Sequence, residues 1–222
     1  VLEASRRGKF LQLRLTRDGL LIHLRMSGDI RVEPGVKELD QPHDRVIIQF
    51  LDGARLVFND TRKFGRVWLV EDPQSVLGVL GPEPFSEDLT DTIFHGMLQK
   101  HKTTIKVLLM NQRFIAGLGN IYTDEALHMA RIHPLQKSSS LTITDAQHLL
   151  RAIRDVLGEG IERQGASIDW VYRGGDFQNY FKVYHRNGQA CTSCGTLVEK
   201  ITVGQRSTHF CPCCQVNDQT KM

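Results

Sequence analysis

The placement of the five cysteines constrains this chain more than any other feature. All lie between Cys191 and Cys214, and the preceding 190 residues contain none. Cys191-Thr-Ser-Cys194 and Cys211-Pro-Cys-Cys214 form two C-x2-C knuckles with 16 residues between them. A secreted chain stapled by disulfides spreads its cysteines along its length, whereas two such knuckles bring four thiolates to one tetrahedral centre. The spacing predicts one structural Zn²⁺ held by Cys191, Cys194, Cys211 and Cys214. Cys213 is the spare thiol; it competes for the fourth position, which the C-x2-C spacing gives to Cys214. A closed four-thiolate site leaves no open coordination position, so the metal has no catalytic role. Between the knuckles, residues 197–204 read as a strand and turn and residues 207–210 as the returning strand. So short a tail has little core of its own, and metal binding supplies much of its folding free energy.

Upstream of the cysteines the apolar period changes once. The opening reads as β: Phe10-Leu11-Gln12-Leu13-Arg14-Leu15 alternates apolar and polar, and Asp18-Gly19 turns the chain into Leu20-Leu21-Ile22-His23-Leu24. The segments 46–50 and 54–58 flank Asp52-Gly53, a strong hairpin signal, and residues 67–70 supply one more strand. Gly81-Pro82-Glu83-Pro84 breaks this pattern. Beyond it the period is helical: Ser86 caps a helix carrying Leu89, Ile93, Met97 and Leu98, residues 105–109 form a short helix, and Asn120 opens another. Thr144 caps a long helix with Leu149, Leu150, Ile153, Val156 and Leu157 on one face. Residues 172–180, rich in glycine and aromatics, read as a loop. The expected organisation is α+β and multidomain: a partial β-sandwich over 1–81, a helical domain over 82–179 and a zinc finger over 180–222.

No apolar run approaches the roughly 20 residues that span a bilayer. The opening Val-Leu-Glu-Ala-Ser-Arg-Arg lacks a secretory apolar core, so a cytosolic location is the default. Net charge, +3 from 28 basic and 25 acidic residues, neither requires nor excludes a nucleic-acid partner. Clustering on one face is what counts, and Arg6-Arg7-Gly8-Lys9 and Arg62-Lys63-Phe64-Gly65-Arg66 are local clusters. Ala116-Gly117-Leu118-Gly119-Asn120 places two glycines before a helix start, where exposed amides attract an anion. Asn120 either caps that helix or donates its amide to a phosphate. The third glycine of a dinucleotide fingerprint is absent, and no βαβ unit surrounds the motif.

Six strings occurring in one order carry a resemblance over essentially the whole chain. They are Arg6-Arg7-Gly8-Lys9-Phe10, His23-Leu24-Arg25-Met26-Ser27-Gly28, Asp60-Thr61-Arg62-Lys63-Phe64-Gly65, Leu80-Gly81-Pro82-Glu83-Pro84, Ala116 through Tyr122, and Gly204 through Gln215. Together they resemble the formamidopyrimidine-DNA glycosylases of the wider formamidopyrimidine-DNA glycosylase/endonuclease VIII family. The resemblance implies a β-sandwich, a helix-two-turns-helix domain and a zinc finger, with double-stranded DNA bound between two lobes. It implies excision of 8-oxoguanine and formamidopyrimidines, then nicking of the abasic strand by β,δ-elimination. The implied nucleophile is an N-terminal proline amine that forms a Schiff base, with an adjacent glutamate as acid/base. It further implies a monomer working in the bacterial cytosol at the nucleoid.

Position by position, the resemblance assigns Lys9 to the catalytic lysine that contacts the damaged site. Met26, Arg62 and Phe64 match the residues that fill the stack when a base is flipped out, a set that makes physical sense as wedge, guanidinium and stacking ring. Asn120 and Lys106 match phosphate contacts, and Arg206 an arginine gripping the strand around the lesion. The family's opening Pro-Glu-Leu-Pro-Glu-Val-Glu is nowhere in these residues, so the expectation is a truncated chain whose own catalytic capacity is doubtful. Missing strands would also leave an exposed sheet edge. Two alternatives stand beside this reading: a non-catalytic, zinc-dependent binder of abasic or distorted DNA, and an endonuclease VIII-type enzyme for oxidised pyrimidines. The Met26, Arg62, Phe64 set speaks against the last.

Overall fold

The computed structural model describes residues 1–35, 40–167 and 174–217. The chain divides into two compact units: Val1–Gly78 with Ser167–Gly174, and Val79–Ala166 with Gly175–Met222.

The first unit is built from β1 (Glu3–Arg7), β2 (Phe10–Arg14), β3 (Gly19–His23), β4 (Gly28–Glu33), β5 (Asp44–Gln49), β6 (Arg55–Asp60) and β7 (Arg66–Val70), followed by a single turn of helix, α1 (Gln74–Leu77). They make two antiparallel sheets, ordered β1-β2-β3-β7 and β4-β6-β5. The hairpin registers follow from the turns: Gly8 (φ 57°) lets β1 fold tightly back on β2, and Gly53 (φ 89°) does the same between β5 and β6. The two central strands carry the core. Leu20 and Ile22 of β3 bury with Leu56 and Phe58 of β6, and flanking apolar residues such as Leu13, Ile30, Val46 and Val67 close around them. This is a sandwich whose inward faces alternate with outward ones.

Two strands are not legible in the sequence. β1 carries no apolar alternation and is largely exposed, being held mainly by its backbone ladder to β2. β4 offers only Ile30 and Val32, and Val32 is itself exposed. Both are outer strands of their sheets, where one neighbour supplies the pairing and little burial is required.

The second unit holds α2 (Asp91–Gln99), α3 (Ile105–Leu109), α4 (Asn120–Met129), α5 (Ile143–Glu162) and the hairpin β8 (Glu199–Val203)–β9 (Arg206–Phe210). Two helix starts differ from expectation. Thr90, not Ser86, caps α2, its hydroxyl accepting from the Ile93 amide at 3.3 Å. The reason is tertiary: besides Pro84 O, Arg154 of α5 takes the carbonyls of Ser86 and Leu89, which a helix begun at Ser86 would need for itself. Thr142, not Thr144, caps α5, through a reciprocal capping box with Asp145. From that start α5 buries Ala146, Leu149, Leu150, Ile153 and Val156 against α2 and α4.

Between α3 and α4 the chain makes two turns, 110–119, stapled by Gln112. Its Nε2 donates to Leu118 O at 2.8 Å, and its Oε1 accepts from Gly117 N at 2.9 Å. Gly117 sits at φ 94°, which a larger residue would resist. The Gly81-Pro82 stretch packs beside these turns: a Cβ on Gly81 would meet the backbone of Phe114 at 2.5 Å, and Pro82 O accepts from Ala116 N.

Candidate nucleic-acid interface and metal centre

In the β unit, one buried carboxylate organises two loops. Asp60 ends β6 and is 0 % exposed. It accepts from Ser27 Oγ at 2.5 Å, from Arg62 N at 3.2 Å and from Gly65 N at 2.7 Å. Burial opposes its charge, but the bonds from Ser27 and from the amides of Gly65, Arg62 and Lys63 outweigh that and hold the carboxyl below its usual range. The 24–27 loop and the 61–65 loop are thereby fixed to each other. Gly65 has no room for a side chain, since a Cβ there would collide with the Phe58 ring.

The product is a protruding trio. Met26 and Phe64 are 55 % and 54 % exposed, Arg62 Nη2 donates to Met26 O at 3.2 Å, and the guanidinium lies 5.9 Å from the Phe64 ring centre. Two large apolar side chains stay in solvent although a packed core lies next to them. Lys9 is exposed in the β1–β2 turn. Nearby His23 packs edge-on against Phe10. Burial first, then the charges of Arg25 and Lys9, bring the His23 imidazole down to about 4, so it is neutral at physiological pH.

In the helical unit, α4 and the β8–β9 hairpin are joined by buried polar contacts. Asn120 is the first residue of α4 and does not cap it; Gly119 is the N-cap. The Asn120 side-chain amide donates to Ser207 O at 2.9 Å, which holds the first turn of α4 beside the strand that carries exposed Arg206. Lys106 departs from expectation. It is 0 % exposed, with Nζ bonded to Asp124 Oδ1 at 2.6 Å and to Asn120 O at 3.2 Å, so this lysine is a buried strut and its ammonium does not face solvent, where a phosphate would bind. Burial depresses its pKa, and Asp124 works in the opposite direction. Asp124 in turn accepts from His209 N at 3.0 Å through its other oxygen. Glu125, also on α4, takes the amides of Lys182, Val183 and Tyr184 at 2.8–3.0 Å.

The thiols of Cys191, Cys194, Cys211 and Cys214 lie within 4.8 Å of one another, and Cys213 stands apart, exposed. Individual sulfurs are 3.9 Å (Cys191–Cys214) and 3.4 Å (Cys194–Cys211) apart. A tetrahedron with Zn–S bonds of about 2.3 Å has edges of about 3.8 Å, so the set fits one Zn²⁺. Burial and the neighbouring sulfurs push the Cys211 and Cys214 thiols up; four thiolates at this spacing need a central cation. The hairpin turn places Gly204 (φ 55°) and Gln205 (φ 61°) both in the left-handed region, the geometry of a two-residue turn that matches strand twist. Its tip approaches α3 closely, with a Cβ on Gly204 only 2.9 Å from Val107 Cγ2.

Comparison with known proteins accounts for these parts together. Residues 1–67 match the formamidopyrimidine-DNA glycosylase N-terminal domain, residues 80–171 the formamidopyrimidine-DNA glycosylase H2TH domain, and residues 188–216 the zinc finger found in FPG and IleRS. The formamidopyrimidine-DNA glycosylase of Chloroflexus aggregans is 46 % identical over 96 % of this chain and 79 % of its own length. The chain belongs to the formamidopyrimidine-DNA glycosylase family. The Bacillus cereus (strain ZK / E33L) member is 42 % identical over 95 % of the chain and 79 % of its own length. Among solved structures, the Lactococcus lactis Fpg in complex with abasic-site DNA superposes with a TM-score of 0.88 at 36 % identity, covering 96 % of this chain and 81 % of that one. The MutM (Fpg) protein of Thermus thermophilus also gives 0.88, at 42 % identity, over 97 % and 82 %.

Within this family fold, the structure brings Met26, Arg62 and Phe64 together, and separately Asn120 and the Arg206 strand. Sequence reasoning missed Ser27, Asp60, Asp124, Glu125 and His209, each of which has a partner far along the chain, from 33 residues for Ser27–Asp60 to 85 for Asp124–His209. Ser27, Asp60 and His209 stand inside the motif strings, and the adjacent acids Asp124-Glu125 among the apolar positions of a helix were a further signal. Tyr172 of the aromatic loop lies outside the described residues. In the described part, Phe177 is buried and stacked on Tyr122 with ring centres 5.3 Å apart, and Arg163 covers the Tyr180 ring, so both aromatics serve packing.

Proposed function

We propose that this chain recognises duplex DNA carrying oxidised purines or abasic sites, working in the cytosol as a monomer. The reaction it serves is that of its family: removal of 8-oxoguanine or formamidopyrimidine, then β,δ-elimination through a Schiff base. Met26, Arg62 and Phe64 carry the reading. An enzyme that acts on a base must take it out of the stack, and the vacated space must be filled. An exposed methionine wedge, an exposed aromatic ring and a guanidinium that can hydrogen-bond the orphaned base, all on loops fixed by one buried carboxylate, are built for that task. Arg206 and the first turn of α4 at Asn120 hold backbone phosphates, for which a guanidinium's fork suits paired oxygens. Lys9 contacts the damaged nucleotide from its turn. The structural Zn²⁺ fixes the hairpin that presents Arg206 and takes no part in the chemistry.

The Pro-Glu-Leu-Pro-Glu-Val-Glu string is not among these 222 residues, so the test is built on recognition. Binding is measured to a duplex with a stable abasic analogue and to an undamaged duplex. Base–aromatic stacking is worth about 1–3 kcal/mol, so Phe64→Ala should weaken abasic-site binding at least about fivefold and leave undamaged-duplex binding within about twofold. Equal losses on both duplexes would make Phe64 a packing residue and overturn the reading.

A further inference from the structure

Helix α4 grips the cysteine-bearing tail at more than its two carboxylates, of which Asp124 holds the hairpin and Glu125 the 182–184 segment ahead of the first knuckle. One turn beyond Asp124 and Glu125, on the same face, His128 is 6 % exposed, and its Nε2 lies 3.5 Å from Cys191 Sγ. Cys191 is among the more buried of the four ligands, 3 % exposed, and it sits in a small cluster with Val183, Val198 and Cys211. A thiolate enclosed in this way has lost its water and needs donors. Ser193 N supplies one at 3.4 Å. Metal-bound thiolates accept hydrogen bonds and cannot give them, so a ring nitrogen at this distance must carry its proton toward the sulfur.

We propose that His128 is a positioning residue for the Zn²⁺, with its Nε2–H donated to the Cys191 thiolate from 63 positions earlier in the chain. The consequence is a continuous mechanical link. The helix whose first turn holds Asn120 beside Arg206's strand ends its inward face on a metal ligand, so the same rigid rod sets both the phosphate-facing end and the metal end. The inference rests on the zinc assignment, and the experiment separates the two.

The full chain is loaded with Zn²⁺ or Co²⁺, with metal affinity measured by competition against a chromophoric chelator and the thiolate-to-cobalt charge-transfer band recorded. His128→Phe keeps a flat ring and removes the donor; His128→Gln keeps a neutral N–H donor. Partners of this kind are typically worth 10–100-fold in metal affinity. We expect His128→Phe to weaken zinc binding at least about tenfold and to move the cobalt band to longer wavelength, because the sulfur becomes a better electron donor. His128→Gln should stay within about threefold of the parent, with the band in place. Unchanged affinity and band position in His128→Phe would overturn the proposal. Equal losses in both variants without a band shift would overturn it too, by making His128 a packing residue. If His128→Phe does not fold, the band position in His128→Gln decides: a parent-like band supports the donor role and a shifted band refutes it. Failure of the parent chain itself to bind cobalt would defeat the zinc assignment instead.

Discussion

Replacing Asp124 with asparagine tests the buried strut most directly. In the folded protein, Lys106 and Asp124 have side chains 1 % and 0 % exposed and meet at 2.6 Å. The variant keeps the shape but removes the negative charge, leaving the Lys106 ammonium with Asn120 O and one amide oxygen as acceptors. Breaking a buried pair from one side costs about 3–5 kcal/mol. The second oxygen matters as well. It accepts from His209 N, and an NH₂ group in its place would set donor against donor, adding about 1–3 kcal/mol. Because the asparagine oxygen still accepts from one partner, we expect a loss near the lower end, about 4 kcal/mol. Domains are stable by only about 5–15 kcal/mol, so this is a large fraction. The assay is urea unfolding of the zinc-loaded chain followed by helical circular dichroism, which reports the α-helical unit. The deficit should depend on pH. Burial already holds the Lys106 pKa below its ordinary 10.5, and without Asp124 it falls further. Above its lowered folded value each protein gains stability with pH, because the unfolded chain binds more protons; the variant enters that range at lower pH, so the deficit shrinks as pH rises toward the parent's own lowered value and is constant beyond it. Pairing Lys106→Met with Asp124→Leu should recover much of the loss, since an apolar pair carries no stranded charge. A deficit below about 1 kcal/mol at pH 7, with no pH dependence, would refute this account of Lys106.

Two further outcomes follow from the hairpin. Arg206→Ala should weaken DNA binding and flatten the slope of log affinity against log salt by about one unit; an identical slope would remove Arg206 from the phosphate contacts. Chelation of the Zn²⁺ should unfold the 188–216 finger, seen as lost circular dichroism and faster proteolysis there, and weaken DNA binding with it. Unchanged affinity after verified metal loss would separate the finger from recognition.

How much is legible in the sequence depends on the range over which each interaction acts. The zinc site is readable because each knuckle is four residues long and its geometry is a matter of spacing alone; Cys213 is set aside correctly for the same reason. The central strands β3 and β6 are readable as short apolar runs following the turn signals Asp18-Gly19 and Asp52-Gly53, and the trio Met26, Arg62 and Phe64 from its motif strings. The start of α5 is written in the sequence as Thr142-x-x-Asp145, a stronger cap signal than Thr144 two residues later.

The remaining features belong to the tertiary structure. Ser86 has the chemistry of a helix cap, yet Arg154, some 68 residues on, claims the carbonyls that such a helix would use. Lys106 has the chemistry of a phosphate ligand, and only the arrival of Asp124 from the next helix shows that its charge is enclosed. His128 reads as one histidine among nine until the fold brings Cys191 to it. Local rules of turn, cap and period act over a few residues, so the sequence carries them openly. Whether a charged or polar group ends in water or in the interior is decided by whichever distant residues pack over it, and that information exists only once the chain has closed.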